Sequence, residues 1–272
     1  MTDSADTPTA APPPRPTSRE AEGGGGALAR ELVSRLGDDL RRRSGFQAPS
    51  PARLAAFCDS LIDAHPGLAA ETLSGLQARG VSVDALYGGW LAGAAMELGR
   101  RWDEDEVSFA DVALGMTRLQ RLLRELGPAY VGPGRGGSGA APLAFVAAAP
   151  GERHIFGPVM FADHLRRLGW QVRLDVSGDR AATVAAVAAA RPAAIGVSAG
   201  SRAVTSELSR MLQELRRAAP GAPVVLGGAL AAEDPETAAT LGADALARTA
   251  QEFESAARRA PQETRSVRSA AS

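Results

Sequence analysis

The chain has 272 residues, of which 45% are hydrophobic but only 4% aromatic, and its 30 basic and 31 acidic side chains give a formal net charge of −1. This length fits one or two domains, and the balanced charge argues against broad non-specific binding of nucleic acid, which requires a net basic face. The single cysteine, Cys58, excludes an internal disulfide, and with three scattered histidines it cannot build a structural zinc site. No apolar run is long enough to span a membrane and the polar N-terminus is unlike a signal peptide, so we expect a cytoplasmic protein without membrane contact.

The first half of the chain is predicted to be helical. Residues 1–49 are rich in Pro, Ala and Gly, which indicates a disordered segment carrying one amphipathic helix at 27–43. Residues 50–127 are predicted to form a small all-α bundle with short loops. Its helices are expected at 51–64, 67–79, 83–101 and 109–126. Ser108 followed by Asp111 resembles a capping box at the start of the last of these helices.

The second half changes its pattern after a glycine-rich segment at 128–141, which predicts a flexible linker. Residues 142–259 alternate apolar strand-like runs with amphipathic helices, which indicates a parallel sheet covered on both faces. The strands are expected at 142–149, 170–176, 193–199, 222–228 and 243–247. Five such strands predict a flavodoxin-like, doubly wound α/β domain, and residues 260–272 are expected to be a disordered tail.

Chemistry-bearing residues follow three of these strands, at the carboxyl edge where doubly wound sheets bind ligands. The candidates are Glu152, His154 and Gly157 after the first strand, Ser198 after the third, and Gly227 and Gly228 after the fourth. The imidazole of His154 is a suitable ligand for a transition metal, and Glu152 can accept its other ring N–H and fix the tautomer. Two adjacent glycines allow a bulky group to lie against bare backbone.

Taken together, Glu152-x-His154-x-x-Gly157, Ser198 and Gly227-Gly228 resemble the cobalamin-binding signature Asp-x-His-x-x-Gly … Ser-x-Leu … Gly-Gly. In that family the histidine binds cobalt from below, and the displaced dimethylbenzimidazole tail enters a slot beside the Ser and Gly-Gly loops. The resemblance implies that His154 is the lower axial ligand and that Glu152 orients it. It also assigns the lining of the tail slot to Gly157, Ser198, Gly227 and Gly228.

The sequence departs from this signature at two positions, because Glu152 replaces the usual Asp and Gly200 stands where Leu is common. The longer Glu152 is still expected to reach the imidazole. His164 is a rival ligand for the cobalt, but it lies within a predicted helix and is expected to be exposed on the outer face.

The segment LGRRWDEDEVSFADVALGMTRLQRLL (98–123) resembles the helical cap that precedes the cobalamin domain in CarH-type photoreceptors. There a Trp, followed about ten residues later by Glu-His, covers the upper face of the corrin. Trp102 matches the Trp, but Val112 and Ala113 occupy the Glu-His positions. The resemblance therefore implies a corrin carrying water, hydroxide or another small upper ligand rather than adenosyl. A corrin held between Trp102 and His154 would keep the two domains closed.

Residues 50–258 resemble the AerR/PpaA antirepressors of photosynthetic bacteria. Membership implies a non-enzymatic, light- or redox-responsive regulator of photosynthesis genes that binds a PpsR/CrtJ-type repressor, with direct DNA binding weak or absent. Three alternatives remain from the residues themselves. These are a corrinoid shuttle subunit of a methyltransferase, a haem-binding redox sensor that uses His154, and an interaction domain without a cofactor.

Overall fold

The computed structural model describes residues 48–133, 141–200 and 205–259, which form a helical bundle followed by a parallel sheet with helices on both faces. This arrangement confirms the predicted combination of an all-α cap and a flavodoxin-like α/β domain. The amphipathic helix predicted at 27–43 and the tail predicted at 260–272 lie outside the described residues.

The bundle contains α1 (Pro51–Ile62), α2 (Leu68–Ala78), α3 (Val83–Ala85), a π-helical segment (Leu86–Leu91), α4 (Ala92–Asp103) and α5 (Phe109–Val131). Helix α5 begins at the predicted capping box, in which the Ser108 Oγ accepts the Asp111 N–H and Asp111 accepts the Ser108 N–H. It continues through Pro128 to Val131, which places the first residues of the predicted linker within the helix. Cys58 is fully buried against the Ala94 carbonyl.

The sheet follows with β1 (Leu143–Ala148), β2 (Gln171–Asp175), β3 (Ala194–Ser198), β4 (Val224–Gly227) and β5 (Ala245–Leu246). All its pairings are parallel, in the order β2-β1-β3-β4-β5, which is the flavodoxin-like order of a doubly wound sheet. The helices between the strands are α6 (Phe156–Arg167), α7 (Arg180–Ala190), α8 (Thr205–Ala218), α9 (Ala229–Glu233) and α10 (Pro235–Thr240), and residues 250–259 form α11. The sequence did not predict α9 or the π-helical segment.

Each face of the sheet has its own apolar core. One face is covered by Val187 of α7 and by the apolar stripe of α8, which includes Leu208 and Leu212. The other is covered by Leu165 of α6 and by Phe253 of α11. No helix in the described ranges combines the length and apolar character required to cross a membrane.

Helix α6 connects the two parts of the molecule, because its residues contribute to two cores. Phe156 and Met160 pack within the core of the bundle, whereas Leu165 packs within the core against the sheet. The bundle therefore does not dock on the sheet itself but on α6, the helix that begins two residues after His154.

A set of polar and aromatic contacts extends this docking to the far end of α6. Tyr130 of α5 is hydrogen-bonded to His164 Nδ1 at 2.6 Å, and the guanidinium of Arg167 lies 4.5 Å from the centre of the Tyr130 ring. Tyr87 donates a hydrogen bond of 2.7 Å to Asp163, and Arg167 pairs with Asp84. The expected exposure of His164 is wrong: its side chain is only 2% exposed, because α5 covers the face on which it lies.

Candidate functional site

The three loops predicted to meet do meet at the carboxyl edge of the sheet. Ala148 of β1 is level with Ser198 of β3, and Ser198 is level with Gly227 of β4. The Ala149 N–H donates to the Ser198 carbonyl at 2.8 Å. The parallel register therefore sets the loop after β1 beside the loop after β3, and the loop after β3 beside the Gly-Gly turn.

Within the first loop, Glu152 and His154 form the predicted pair. The Nδ1 of His154 lies 2.7 Å from Glu152 Oε1, which also accepts the backbone N–H groups of Arg153 and His154 at 2.9 and 2.8 Å. An ionised carboxylate can only accept hydrogen bonds, so Nδ1 carries the proton and Nε2 is the ring nitrogen available to bind a metal. The Glu152 side chain is only 8% exposed and the His154 side chain is 56% exposed.

The electrostatics of the pair agree with these roles. Burial raises the pKa of Glu152, but the hydrogen bonds from His154 and from the Gly200 N–H outweigh it, and the pKa lies below its usual range. The hydrogen bond to Glu152 raises the pKa of His154, in opposition to the effect of burial. Glu152 is thus ionised at neutral pH and polarises the imidazole, which makes Nε2 of His154 more basic and suited to bind a metal.

Beside this pair, a narrow apolar slot runs down between the sheet and two helices. The residues that line it include the predicted Ser198, Gly227 and Gly228. The others are Val146, Pro158, Phe161, Gly196, Val197, Val225, Ala247, Arg248 and Phe253. Gly157, also predicted to line the slot, occupies the second position of α6, next to Pro158, and is not among the lining residues. With a cavity volume of about 30 Å³, the slot has room for one or two water molecules. A benzimidazole therefore enters only if side chains such as Phe161 and Phe253 move.

The backbone around Gly227 and Gly228 itself requires glycine, apart from the role of these residues in lining the slot. Gly228 has φ +83°, and a Cβ there would lie 2.5 Å from the Ala199 carbonyl oxygen. A Cβ at Gly227 would lie 2.9 Å from the Ala247 carbonyl oxygen. These two residues are glycines because the loops after β3, β4 and β5 approach one another too closely for side chains.

The helical cap reaches the same edge of the sheet. Gly127 and Tyr130 of α5 lie beside Asp163 and His164 of α6 in the same order, so the two helices run in the same direction. The segment of α5 from Phe109 to this contact is longer than the segment of α6 from Phe156 to the same contact. At about 1.5 Å per residue, the start of α5 therefore lies roughly 16 Å beyond the start of α6, on the His154 side. Trp102 therefore lies at the end of the bundle that projects past the carboxyl edge.

Trp102 has an aromatic neighbour that sequence reasoning missed. The ring of Phe109 lies 6.4 Å from that of Trp102, and Phe109 is 74% exposed. Leu114, on the next turns of the same helix, is also exposed. The projecting end of the bundle thus presents an apolar surface. An exposed Phe at the start of an amphipathic helix gave no sequence signal to distinguish it from ordinary surface.

Most of the other residues that line the slot were also missed. Gly196 interrupts an apolar strand and could have been found, because glycine inside a strand often marks a close approach by another group. Phe161 and Phe253 face the slot from α6 and α11, and Arg248 follows β5 at its mouth. Their positions depend on how helices pack on the sheet, which periodicity alone does not give.

The His154–Glu152 pair fits a metal whose other ligands come from a cofactor rather than from the protein. Among the described residues no group of three or more His, Cys, Asp and Glu side chains could hold a bare metal ion. One histidine with an ordered carboxylate partner, at the sheet edge where an apolar slot lies, instead fits a cobalt corrin, in which the macrocycle supplies the equatorial nitrogens. The donor set therefore agrees with the cofactor that the signature implies.

Comparison with known proteins points to the same cofactor. Residues 142–258 match the B12 binding domain family. An uncharacterized 20.5 kDa protein from the bchF-crtJ intergenic region of Rhodobacter capsulatus is 28% identical over 165 residues, which is 60% of this chain and 85% of that protein. The HTH-type transcriptional repressor CarA of Myxococcus xanthus is 30% identical over 164 residues, again 60% of this chain but only 54% of CarA.

The fold has a close counterpart among solved structures. The monomethylamine corrinoid protein of Methanosarcina barkeri superposes with a TM-score of 0.60 at 19% identity, over 78% of this chain and 99% of its own. At that identity the likeness concerns the arrangement of cap and sheet. The matches confirm the resemblance recognised from the sequence signature, in that residues 142–258 of this chain match the B12 binding domain family.

Proposed function

We propose that this protein is a cytoplasmic, cobalamin-dependent transcriptional regulator that acts as an antirepressor through a PpsR/CrtJ-type repressor and is not itself an enzyme. The observation that carries the proposal is the pairing of His154 with the ionised, buried Glu152, which also contacts Gly200 in the loop after β3. In this proposal Nε2 of His154 would bind the cobalt. Ser198, Gly227 and Gly228 would line the slot for the dimethylbenzimidazole tail.

The surface above His154 supports hydroxo- or aquocobalamin rather than the adenosyl form. Val112 and Ala113 lie on α5 near its exposed start, where related caps carry Glu-His, and they offer no polar group to an upper ligand. The exposed Phe109 beside Trp102 gives the same end of the bundle an apolar character. Such a surface favours a flat corrin face with a small upper ligand.

Regulation follows from the position of the cofactor between cap and sheet. The bundle and His154 would hold the cofactor between them, and the cofactor would supply an upper ligand that responds to light or redox state and favours one arrangement of bundle and sheet. Only a difference in affinity between two arrangements can shift their populations. The repressor then distinguishes the two arrangements.

The relatives support the choice of partner. One is named for a gene position next to crtJ, and the other is named as an HTH-type transcriptional repressor. The second name places a related chain in transcriptional control, and the first gives only a gene position. The repressor-binding role of this chain is proposed by extension.

Titration of the purified protein with hydroxocobalamin, followed by absorption in the dark and after illumination, tests the cofactor. Stoichiometric binding with a histidine-ligated spectrum is expected, and His154→Ala should abolish that spectrum. His65→Ala is a matched control, since His65 is exposed in the loop between α1 and α2. Binding that is indifferent to His154, or a Soret band on titration with haem and no uptake of cobalamin, would overturn the cobalamin site.

The antirepressor role needs a second experiment. Fluorescence anisotropy of operator DNA bound to a PpsR/CrtJ-type repressor should fall when the cobalamin-loaded protein is added, and the effect should differ between dark and illuminated samples. The His154→Ala protein should lose this dependence on light. Methyl transfer from the methylated cofactor to a thiol, with a partner methyltransferase present, would instead assign a shuttle subunit.

A further inference from the structure

The two positions at which the chain departs from the cobalamin-binding signature are in direct contact with each other. The backbone N–H of Gly200 donates a hydrogen bond of 2.6 Å to Glu152 Oε2, while Glu152 Oε1 holds the imidazole of His154. One carboxylate thus joins the loop after β1 to the loop after β3. Its two oxygens have separate tasks: one orients the imidazole and the other anchors the carboxylate.

A side chain at residue 200 would collide with the end of the Glu152 side chain, and no backbone atom is among its three nearest neighbours. A Cβ built on Gly200 would lie under 3.0 Å from Glu152 Oε2, a separation that real Cβ atoms essentially never show. The φ of Gly200 lies outside the left-handed region, so backbone strain does not account for the glycine. The space it leaves is occupied by the end of the Glu152 side chain.

We propose that Gly200 is a positioning residue for the metal ligand, acting through Glu152. Glutamate is one methylene longer than aspartate, and at position 152 this length carries the carboxylate across to the loop after β3. Only a residue without a side chain can accept the carboxylate there. Glu152 and Gly200 are therefore a coupled pair that fixes the orientation of His154, and this inference rests on the proposed binding of cobalt by His154.

Adding a Cβ at position 200 would displace Glu152, and with it the hydrogen bond to His154 Nδ1. Partners of this kind change metal affinity by about 10- to 100-fold when they are removed. Shortening the side chain with Glu152→Asp withdraws the carboxylate from residue 200. After that change a Cβ at position 200 should cost little, so the two substitutions should be strongly non-additive.

The test is a double-mutant cycle with Gly200→Ala, Glu152→Asp and the combined variant, using cob(II)inamide as the probe. Cobinamide lacks the benzimidazole tail, so nitrogen splitting in the electron paramagnetic resonance spectrum of Co(II) reports ligation by the protein alone. We expect Gly200→Ala to weaken cobinamide binding at least tenfold and to remove the nitrogen splitting. In the Glu152→Asp background the same change should weaken binding less than threefold and leave the splitting unchanged.

Gly221→Ala is the matched control, because Gly221 is an exposed glycine with nothing within 4 Å of a built Cβ. Circular dichroism and urea unfolding of each protein without cobinamide show whether it is folded. If Gly200→Ala is unfolded, the combined variant still tests the coupling. Glu152→Asp should remove the steric contact at residue 200, so the combined variant should recover both folding and nitrogen splitting. Equal effects of Gly200→Ala in both backgrounds would overturn the coupling. Absence of nitrogen splitting in the unmodified protein would instead overturn the proposed cobalt ligand, which separates the two failures.

Discussion

Tyr87 and Tyr130 are stacked face to face where the helical bundle meets α6, with ring centroids 3.9 Å apart and ring planes within 5° of each other. Each hydroxyl is hydrogen-bonded to a different residue of that helix, Tyr87 to Asp163 and Tyr130 to His164. The pair comes from separate parts of the bundle, the π-helical segment and the end of α5. The bundle and the sheet domain are thus joined by two parallel rings whose polar ends contact one helix.

The contribution of the two tyrosine hydroxyls can be measured apart from that of ring stacking. The variants Tyr87→Phe and Tyr130→Phe each remove one hydrogen bond and keep the aromatic ring. Burial, reinforced by the Asp163 carboxylate, raises the pKa of Tyr87, so its hydroxyl stays protonated and donates. We expect Tyr87→Phe to lower the free energy of unfolding by about 2 kcal/mol, because its acceptor is charged, and Tyr130→Phe by about 1 kcal/mol. Urea unfolding followed by circular dichroism measures both, and unchanged stability in both variants would contradict a role for these bonds.

The exposed Phe109 should matter for the ligand and not for the fold. Because Phe109 is 74% exposed, Phe109→Ala should change the free energy of unfolding by less than about 0.5 kcal/mol. If the corrin covers this surface, the same change should weaken hydroxocobalamin binding by about tenfold through lost apolar contact. Leu68→Ala, at an exposed apolar position of α2, is the control and should leave binding unchanged. Equal affinities in all three proteins would exclude Phe109 from the binding surface.

The Gly-Gly turn allows the cost of positive φ to be separated from the cost of crowding. Gly228 and Gly242 have φ +83° and +93°, but a Cβ at Gly242 would have nothing within 4 Å, whereas a Cβ at Gly228 would lie 2.5 Å from the Ala199 carbonyl oxygen. Gly242→Ala should therefore cost about 1 kcal/mol in the free energy of unfolding, from the conformation alone. Gly228→Ala should cost about 3 kcal/mol or more. Equal losses would show that the loops around Gly228 relax freely.

Glu97 should make the bundle sensitive to acid. Its hydrogen bonds with Arg100 and Arg101 outweigh the effect of burial and lower the pKa of Glu97 to about 2. A depressed folded-state pKa gives stability that is present above the unfolded value near 4.5 and is lost as the pH falls towards 2.

Glu97→Gln should therefore lower the free energy of unfolding by about 1–3 kcal/mol at pH 7, and its difference from the unmodified protein should shrink between pH 4.5 and pH 3. Urea titrations across this range provide the measurement. Glu125→Gln, which breaks an exposed pair with Arg121, should change stability by less than about 0.5 kcal/mol at any pH. A pH-independent effect of Glu97→Gln would contradict the depressed pKa.

The parts of this protein that the sequence predicted are those set by local patterns. The strand and helix periods indicated the alternating domain, and the capping box at Ser108 located the start of α5. The loop residues Glu152, His154, Ser198, Gly227 and Gly228 were found because parallel strands bring their carboxyl ends to one edge. Nothing beyond the order of the strands was needed to predict that these loops meet.

What the sequence did not predict depends on contacts between distant elements. The burial of His164 follows from α5 lying across α6, which no periodicity within either helix specifies. Helix α5 ends just before Gly132, which has a positive φ. Position 127 lies inside the helix, and it is a glycine because a side chain there would crowd Asp163. The contact between Glu152 and Gly200 joins residues 48 positions apart. In the sequence, Glu152 in place of Asp and Gly200 in place of Leu appear as two unrelated departures from the cobalamin-binding signature. Their relation is visible only from the contact between them in the structure.

Helix α6 starts two residues after His154 and ends with Arg167, which carries the last contacts to the bundle. A helix of twelve residues is about 18 Å long and resists bending, so its two ends move as one body. The loop that carries His154 and the contacts of α6 with Tyr87, Tyr130 and Asp84 therefore lie at the two ends of one rigid helix. If His154 binds cobalt as proposed, a displacement of its loop would reach the bundle through α6, without passing through the sheet.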